Sequence, residues 1–444
     1  MILSRSQSKK ILDQVRASSK ADSWVATVSG TDRRHIRFAL NTVTTSGEQD
    51  DVTLSVTSHF GKRSGTATTN ELDTKSILAA VAKSEQIARL APENSEFMPP
   101  LGPQKYVQGK AFNDATAKAA PGKLAALSQP VLKEASEKKV IAAGFFNVAA
   151  DSSAYATSND LLVHDQTTHS LFTVTARSPD GTGSGWAGKN SHDLRKLDTA
   201  TMGERAAEKG SKSVKPTALD PGKYTVILEH SAVCDLVGWM IGDFDARSAD
   251  EGRSFLSKPG GGNKLGTKLV SDKVNIFSDP EHSVVPGAIY STDGLPAKKR
   301  QWIKDGVIQE LMYSRFWAKK QNREPVPFPT NLVMEGGKTS IDDMIADTRR
   351  GVLVTRFWYI REVDPQTLLL TGLTRDGTFL IENGKIARPI KNFRFNESPV
   401  SMLNNVIAMT PSERAAGSEI EGWPISVPAL LVKDFTFSSL SDAV

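Results

Sequence analysis

The sequence predicts an α+β protein in which N-terminal α/β units precede a larger, strand-rich C-terminal domain. Up to residue 214, segments with helical apolar spacing alternate with short β-branched runs that are typical of strands. Proline-rich stretches over residues 92–110 and 215–222 divide the chain, and strand-like runs predominate after the second. The expected domains are an N-terminal α/β domain over 1–98, a central α/β domain over 111–214 and a C-terminal domain over 222–444.

The composition indicates an ordinary globular chain. Its 444 residues are 39% hydrophobic and 24% charged, which is enough for two or three domains with proper cores. The net charge is +5, but lysine and arginine are mixed with acidic residues along the chain, so no direct nucleic-acid contact is expected. No apolar run reaches membrane-spanning length, no signal peptide is evident, and Cys234 is the single cysteine. We expect a cytoplasmic location and no membrane contact.

The N-terminal domain is predicted to alternate helices and strands. Residues 73–90 carry strong helical spacing, and Asp73 or Thr74 can cap the start of that helix. The other expected elements are a helix over 8–19, strands over 24–30, 34–40 and 51–60, a polar turn over 41–47 and a polar connection over 61–70.

The central domain is predicted to repeat this arrangement. A helix over residues 123–138 should be kinked or split at Pro130. His164 and His169 flank a strand-like stretch, and the sequence predicts that both lie on the surface without forming a site. The remaining elements are strands over 140–149, 153–158 and 171–177, a glycine-rich turn over 179–188 and a long polar helix over 192–214.

A strand over residues 224–228 leads into a helix over 230–240, and His230 lies at this junction. A helical zinc peptidase site needs two histidines about one turn apart and a carboxylate that takes a proton from the metal-bound water. Here Ser231 stands where the carboxylate is needed, and Asp235 stands where a second histidine is needed. Ser231 is a poor general base without an activating partner.

A remodelled site remains an alternative at this junction. His230 and Cys234 are one helical turn apart, about 40° around the axis, which suits a shared metal, whereas Asp235 lies about 140° from His230. Cys234 as a core residue and His230 as a structural histidine explain the same pattern. We expect no metal in this chain and no confident catalytic residue; if a metal binds, its ligands are His230, Cys234 and Asp235.

The rest of the C-terminal domain is predicted to be mostly strands. Asn383 and Gly384 form a tight turn between two strands. Further elements are a strand over 386–395, a short helix over 402–408 and a final strand before the polar C-terminal residues.

Two sets of residues carry a resemblance to the TldD/PmbA peptidase family. The N-terminal set is Arg37, Asn41, Gly61, Arg63, Gly65, Ala67, Asn70 and Asp73. The C-terminal set is Phe255, Lys258, Gly266, Lys268, Ser271, Asp279, Pro280, Asp293, Gly294, Leu295, Pro296, Ile303, Gly306, Leu311, Ser314, Arg315, Ala318, Lys319, residues 351–354 and residues 377–384. In this order the matches cover nearly the whole chain.

The resemblance also implies a function. The HExxxH motif of the family corresponds to residues 230–235, where only His230 matches, and residues 414–426 contain no counterpart of the family's distal zinc-binding cysteine. The chain therefore resembles the PmbA (TldE) branch, whose members lack the zinc motif and pair with a TldD-type subunit. The resemblance implies a cytoplasmic zinc peptidase complex that cleaves unfolded or precursor peptides, with zinc in the partner subunit.

Three hypotheses follow from this resemblance. The leading one is a TldE-like, non-catalytic subunit of a TldD/TldE metallopeptidase that binds peptide. The second is an active homo-oligomeric metallopeptidase with an altered site at His230, Cys234 or Asp235. The third is a peptide-binding scaffold without enzymatic activity.

Overall fold

The computed structural model describes residues 1–291 and 293–442, and its architecture is α+β, as predicted. The last two residues of the predicted C-terminal domain lie outside this range. The N-terminal half is built on one six-stranded antiparallel sheet in the order β3-β2-β1-β4-β5-β6. Its strands are β1 (Ser23–Ala39), β2 (Thr42–Phe60), β3 (Arg63–Thr69), β4 (Ile141–Thr157), β5 (Leu162–Arg177) and β6 (Ser184–Ser191).

These strands are longer than the sequence predicts. β1 pairs with β2 along its whole length, from Ser23 opposite His59 to Ala39 opposite Thr42. The turn is confined to Leu40 and Asn41, and the predicted polar turn over 41–47 is wrong beyond Asn41 because residues 42–47 belong to a paired strand. The predicted breaks inside β1 and inside β4 are wrong for the same reason, since each is a single strand.

The predicted polar connection over 61–70 and the predicted glycine-rich turn over 179–188 both contain strands beneath closely packed helices. The connection over 61–70 contains β3, and a Cβ on Gly65 would lie 2.2 Å from the Ala88 backbone nitrogen. The turn over 179–188 contains the start of β6, and a Cβ on Gly185 would lie 2.3 Å from the Ala206 carbonyl oxygen. Glycine at these two positions therefore allows a helix to pack closely against the strand.

Five helices accompany the first sheet. Asp73 caps α2, as predicted, by accepting a hydrogen bond from the Ser76 backbone nitrogen at 3.1 Å. α4 stays continuous through Pro130, because its apolar side packs in the core of this half. The predicted helix over 192–214 is shorter, since Asp198 caps it at Thr199. The helices are α1 (Arg5–Ser18), α2 (Thr74–Leu90), α3 (Asp114–Ala117), α4 (Pro121–Glu137) and α5 (Thr199–Lys212).

The C-terminal half contains two further sheets. The smaller has the order β10-β9-β8-β11-β18-β17, and the larger has the order β12-β7-β19-β15-β13-β14, with β16 paired to β19. The strands are β7 (Gly222–Leu228), β8 (Ile276–Ser278), β9 (Arg300–Lys304), β10 (Val307–Ile308), β11 (Leu332–Met334), β12 (Arg350–Asp364), β13 (Leu369–Glu382), β14 (Lys385–Pro389), β15 (Asn392–Glu397), β16 (Val406–Met409), β17 (Glu413–Ala415), β18 (Ile425–Val427) and β19 (Leu430–Ser441).

The larger sheet closes on itself. β12 also pairs with β13, so β12, β7, β19, β15 and β13 form a ring of five strands. Closure leaves no free edge within the ring. Five buried phenylalanines from these strands pack together with ring centroids 4.5–5.9 Å apart: Phe357, Phe393, Phe395, Phe435 and Phe437.

Short helices join these sheets, and α6 is the most deeply buried. Ten of its residues are buried on all sides of the helix, which is typical of a helix enclosed by a core. The predicted helix over 402–408 is instead α10 followed by β16. No helix among residues 1–291 and 293–442 has the length and apolarity that a membrane crossing requires. The helices are α6 (His230–Gly242), α7 (Ala246–Asp250), α8 (Arg315–Lys320), α9 (Ile341–Ala346) and α10 (Pro399–Asn404).

Candidate functional site

The predicted site lies where β7 ends and α6 begins. Glu229 connects the two, and its backbone nitrogen donates to the Val354 carbonyl oxygen of β12 at 3.1 Å. Its carboxylate pairs with the Lys209 ammonium of α5 at 2.5 Å, and Lys209 also donates to the Thr355 hydroxyl at 2.9 Å. This pair is largely buried, with 13% and 14% of the two side chains exposed. Glu229 is thereby held as an ion-pair partner.

His230 is the first residue of α6 and is engaged by the loop before β17. Its Nε2 lies 3.2 Å from the Thr410 hydroxyl. Because that hydroxyl donates its own proton to the Pro411 carbonyl at 2.9 Å, it accepts from Nε2–H. Burial lowers the pKa of His230, and Glu413 and Glu229 oppose this shift. The nitrogen nearest the loop therefore acts as a donor and offers no lone pair to a metal.

Asp235 is fully buried and faces the segment over residues 417–420. Its carboxylate accepts hydrogen bonds from three backbone nitrogens of this segment, those of Ser418 (3.0 Å), Glu419 (3.0 Å) and Ile420 (3.2 Å). The Ser418 hydroxyl makes a fourth hydrogen bond, at 3.2 Å, and shares its single proton between this carboxylate and the Phe357 carbonyl oxygen. A Cβ on Gly417 would lie 2.0 Å from the carboxylate, so glycine is required there. We call these four hydrogen bonds the Asp235 clasp.

Cys234 behaves as a core residue. It is fully buried, and its thiol lies 4.0 Å from the Ala415 carbonyl oxygen. Burial raises the pKa of this thiol well above its ordinary value, and the neighbouring Asp235 adds to the increase. Since the thiolate is the form that binds metal and attacks substrates, the neutral thiol is suited to neither role.

The three conditional metal ligands, His230, Cys234 and Asp235, therefore do not converge. The side chain of His230 contacts Thr410, that of Cys234 contacts Ala415, and that of Asp235 binds the 417–420 segment. Within residues 1–291 and 293–442, no three His, Cys, Asp or Glu side chains are grouped so that they can hold a metal ion. The donor set at this junction does not fit a zinc ion, whose structural sites need four ligands and whose catalytic sites need three.

A cavity of about 260 Å³ opens beside His230 and Ser231. Arg205 of α5 and Glu413 of β17 supply opposite charges on its wall. The sequence did not identify Lys209, Thr410 or Arg205 as neighbours of the site. No local pattern marks them, because they lie far from His230 along the chain.

Asp235 is expected to make the protein less stable as the pH rises from about 4 to about 6. Burial raises the pKa of this carboxyl from 3.8 to about 6, and its hydrogen bonds only partly offset the increase. Between these values the folded state keeps a proton that the unfolded state has released, so the contribution of this carboxyl group to stability is greatest below about pH 4. That contribution to the free energy of unfolding should be about 3 kcal/mol lower above about pH 6.

Urea unfolding of the protein and of Asp235→Asn across this pH window measures the effect. The amide does not titrate, so the difference between the two proteins isolates the carboxyl group. A difference that stays constant from about pH 4 to about pH 7 would contradict the expected pKa shift.

Three consecutive regions match known family descriptions. Residues 24–88 match PmbA/TldA metallopeptidase domain 1, residues 113–213 match the central domain, and residues 221–439 match the C-terminal domain. A metalloprotease of Methanothermobacter thermautotrophicus is 25% identical over 281 residues, which are 57% of this chain and 59% of that protein. A metalloprotease TldD homolog of Haemophilus influenzae is 26% identical over 195 residues, which are 39% of this chain and 40% of that protein.

The fold is also shared with a solved structure. TldE from Thermococcus kodakarensis superposes with a TM-score of 0.85 at 18% identity, covering 97% of this chain and 98% of that one. By contrast, the alignments to the two metalloproteases span 59% and 40% of those proteins' lengths. The three regional matches, which together span most of the chain, show that the chain belongs to the PmbA/TldD metallopeptidase family.

Proposed function

We propose that this chain is the TldE-type, non-catalytic subunit of a TldD/TldE-type zinc metallopeptidase, with the zinc in a TldD-type partner. The observation that carries the proposal is the Asp235 clasp. In the family motif, the position of Asp235 supplies a histidine ligand, and a cysteine near the 417–420 segment supplies another. Here these two parts of the chain are joined directly by hydrogen bonds, in place of a shared metal.

The chemistry of the junction supports the same proposal. Zinc peptidases activate a metal-bound water and transfer its proton to a carboxylate. Ser231 occupies the carboxylate position, and Glu229, the acidic residue before His230, is paired with Lys209. Nucleophilic catalysis by Cys234 is also disfavoured, because it needs a thiolate and the pKa of this thiol is raised.

The proposed contribution of the chain is to hold extended peptide and to complete the peptidase with its partner. β3, an outer strand of the N-terminal sheet, is largely exposed and forms a ladder only with β2 among the described residues. A free strand edge can pair with an extended peptide through backbone hydrogen bonds. We place the complex in the cytoplasm.

Zinc analysis of the purified chain tests this proposal. We expect no stoichiometric zinc in the chain alone and no peptidase activity, because the donors at the junction do not converge. Mixing with a TldD-type subunit should give a stable complex that contains zinc and cleaves unfolded peptide. His230→Ala should leave the activity of that complex in place.

The outcomes separate the alternatives. About one zinc per chain that is lost in His230→Ala would contradict the proposal and favour an active homo-oligomeric peptidase with a remodelled site. Peptide binding without any complex with a TldD-type subunit would favour a non-enzymatic scaffold.

A further inference from the structure

A second cavity, of about 460 Å³, lies between the N-terminal sheet and the C-terminal half. Its size falls within the range of small-ligand pockets, roughly 300–1,000 Å³. Its floor is a row across three strands, in which Ala149 of β4 lies opposite Arg33 of β1 and opposite His169 of β5. Directly opposed residues of antiparallel strands share a face, so Arg33 and His169 flank the small Ala149. Thr330 and Arg414 line the cavity from the C-terminal half.

Arg414 is a buried cation without a matching anion. Its side chain donates to the Asn190 amide oxygen at 2.6 Å and to the Val284 carbonyl at 3.1 Å, and it lies 3.4 Å from His192 Nδ1. All three partners are neutral near pH 7, because burial and Arg414 lower the pKa of His192 to about 4. No carboxylate among the described residues lies within 4.0 Å of this guanidinium.

Burial lowers the pKa of Arg414 to about 10, so the guanidinium stays charged at neutral pH. A buried charge is costly unless it is paired with an opposite charge. Arg414 therefore points to an anionic group that enters from outside the described chain.

Three other polar atoms around this cavity are also unsatisfied. Asn147 Oδ1, His169 Nε2 and Thr330 Oγ1 are buried and have no hydrogen-bond partner among the described residues. Buried polar groups are nearly always hydrogen bonded in native proteins. Burial, with Arg414 and Arg33 nearby, lowers the pKa of His169 to about 4, so its ring is neutral near pH 7. His169 is half-buried and lines this cavity, whereas the sequence predicts a surface position outside any site.

Two acidic side chains line the same cavity and restrict where an anion can bind. Asp151 accepts a hydrogen bond from the Thr31 hydroxyl at 2.7 Å. Burial raises the pKa of Glu421, and Arg356 opposes the increase. Neither carboxylate pairs with Arg414, so an anionic ligand is expected near Arg414 and His169.

We propose that this cavity binds the C-terminal carboxylate of a peptide. Arg414 supplies the opposite charge, His169 and Thr330 donate to the carboxylate oxygens, and Asn147 Oδ1 accepts the last backbone N–H of the peptide. A small carboxylate such as acetate satisfies the arginine but offers no hydrogen-bond donor to Asn147, whereas a peptide end offers both a carboxylate and an N–H. This inference rests on the proposed function only in taking peptide as the ligand, and it makes this subunit the anchor for the end of the substrate.

Peptide binding to the purified full-length chain tests the inference. The probes are an N-terminally labelled alanine-rich octapeptide with a free C-terminal carboxylate and the same peptide with a C-terminal amide, compared by fluorescence anisotropy. We expect the free acid to bind at least about 10-fold more tightly, because a charge-assisted hydrogen bond is lost in the amide. His169→Ala and Thr330→Val should each reduce this preference for the free acid. Arg414→Lys should also reduce it, because lysine keeps the charge but not the guanidinium geometry.

His35→Ala is the matched control. His35 lies on β1 of the same sheet, but its ring packs against Phe145 outside the cavity, so its loss should leave the preference for the free acid intact. Circular dichroism and urea unfolding establish that each variant is folded before its affinity is compared.

Equal binding of the acid and the amide would overturn the cavity assignment while leaving peptide binding by this chain in place. Binding of neither peptide would also overturn the cavity assignment. The zinc and complex measurements would still test the proposed function independently of this result. Competition by acetate or phosphate as effective as that of the free peptide would assign the cavity to small anions and reject the peptide end.

Discussion

Asp235→Leu is expected to lower the free energy of unfolding by at least about 3 kcal/mol, because the buried N–H groups of the clasp lose their acceptor. Leucine has the same branching as aspartate but no oxygen, so the backbone nitrogens of residues 418–420 are left without their partner. Each unsatisfied buried donor costs about 1–3 kcal/mol. Urea unfolding at neutral pH, followed by circular dichroism, measures the loss.

Asp434→Asn is a suitable control for this experiment. Asp434 is exposed in β19 with a φ of 56°, a conformation that asparagine also adopts readily. Its replacement should change stability by less than about 0.5 kcal/mol. If Asp235→Leu were equally mild, the clasp would contribute little, and the argument that it stands in place of a metal would lose its basis.

Lys209→Met should also destabilise the protein, by about 3 kcal/mol, because it leaves the Glu229 carboxylate buried without its counter-charge. The reverse change, Glu229→Leu, strands the ammonium group in the same way. Combining the two replaces a buried ion pair with apolar side chains, which is often close to neutral. The double variant should therefore be more stable than either single variant, and a double-mutant cycle measures the coupling.

An exposed pair on the same helix provides the comparison. Lys212 and Glu208 of α5 also form an ion pair, but 63% and 48% of their side chains are exposed. Lys212→Met should cost less than about 0.5 kcal/mol. Equal effects at Lys209 and Lys212 would mean that burial does not strengthen the Lys209–Glu229 pair.

Local pattern was enough to predict the α+β class and the strand–helix junction at His230. The apolar run of β7 and the first turn of α6 carry strong periodic signals, and Asp73 is a side chain suited to capping. The outer part of β2 carries no such signal, because most residues from Thr42 to Asp51 are exposed. Pairing with β1 makes that stretch a strand, and pairing is not visible in a local window.

The cavities were not predictable for a related reason. Arg33, Asn147, His169 and Arg414 come from four distant parts of the chain and meet through strand register and packing of the C-terminal half. The residues next to His169 in the sequence are typical of a surface strand. Residues of the C-terminal half, which are distant along the chain, partly cover it. Chemistry at the junction was easier to anticipate, since its residues lie within six positions of one another.

The ring of five strands also governs when this protein can finish folding. β7 is the first strand of the C-terminal half, and its Leu228 pairs with Leu430 of β19, the last strand. Long-range pairing of this kind slows folding. During synthesis, β7 lacks its partner strand until β19 has left the ribosome, and the buried phenylalanines of the ring remain exposed to water until then. The ring can therefore close only once β19 has been translated, and until then the C-terminal half exposes apolar surface that favours aggregation.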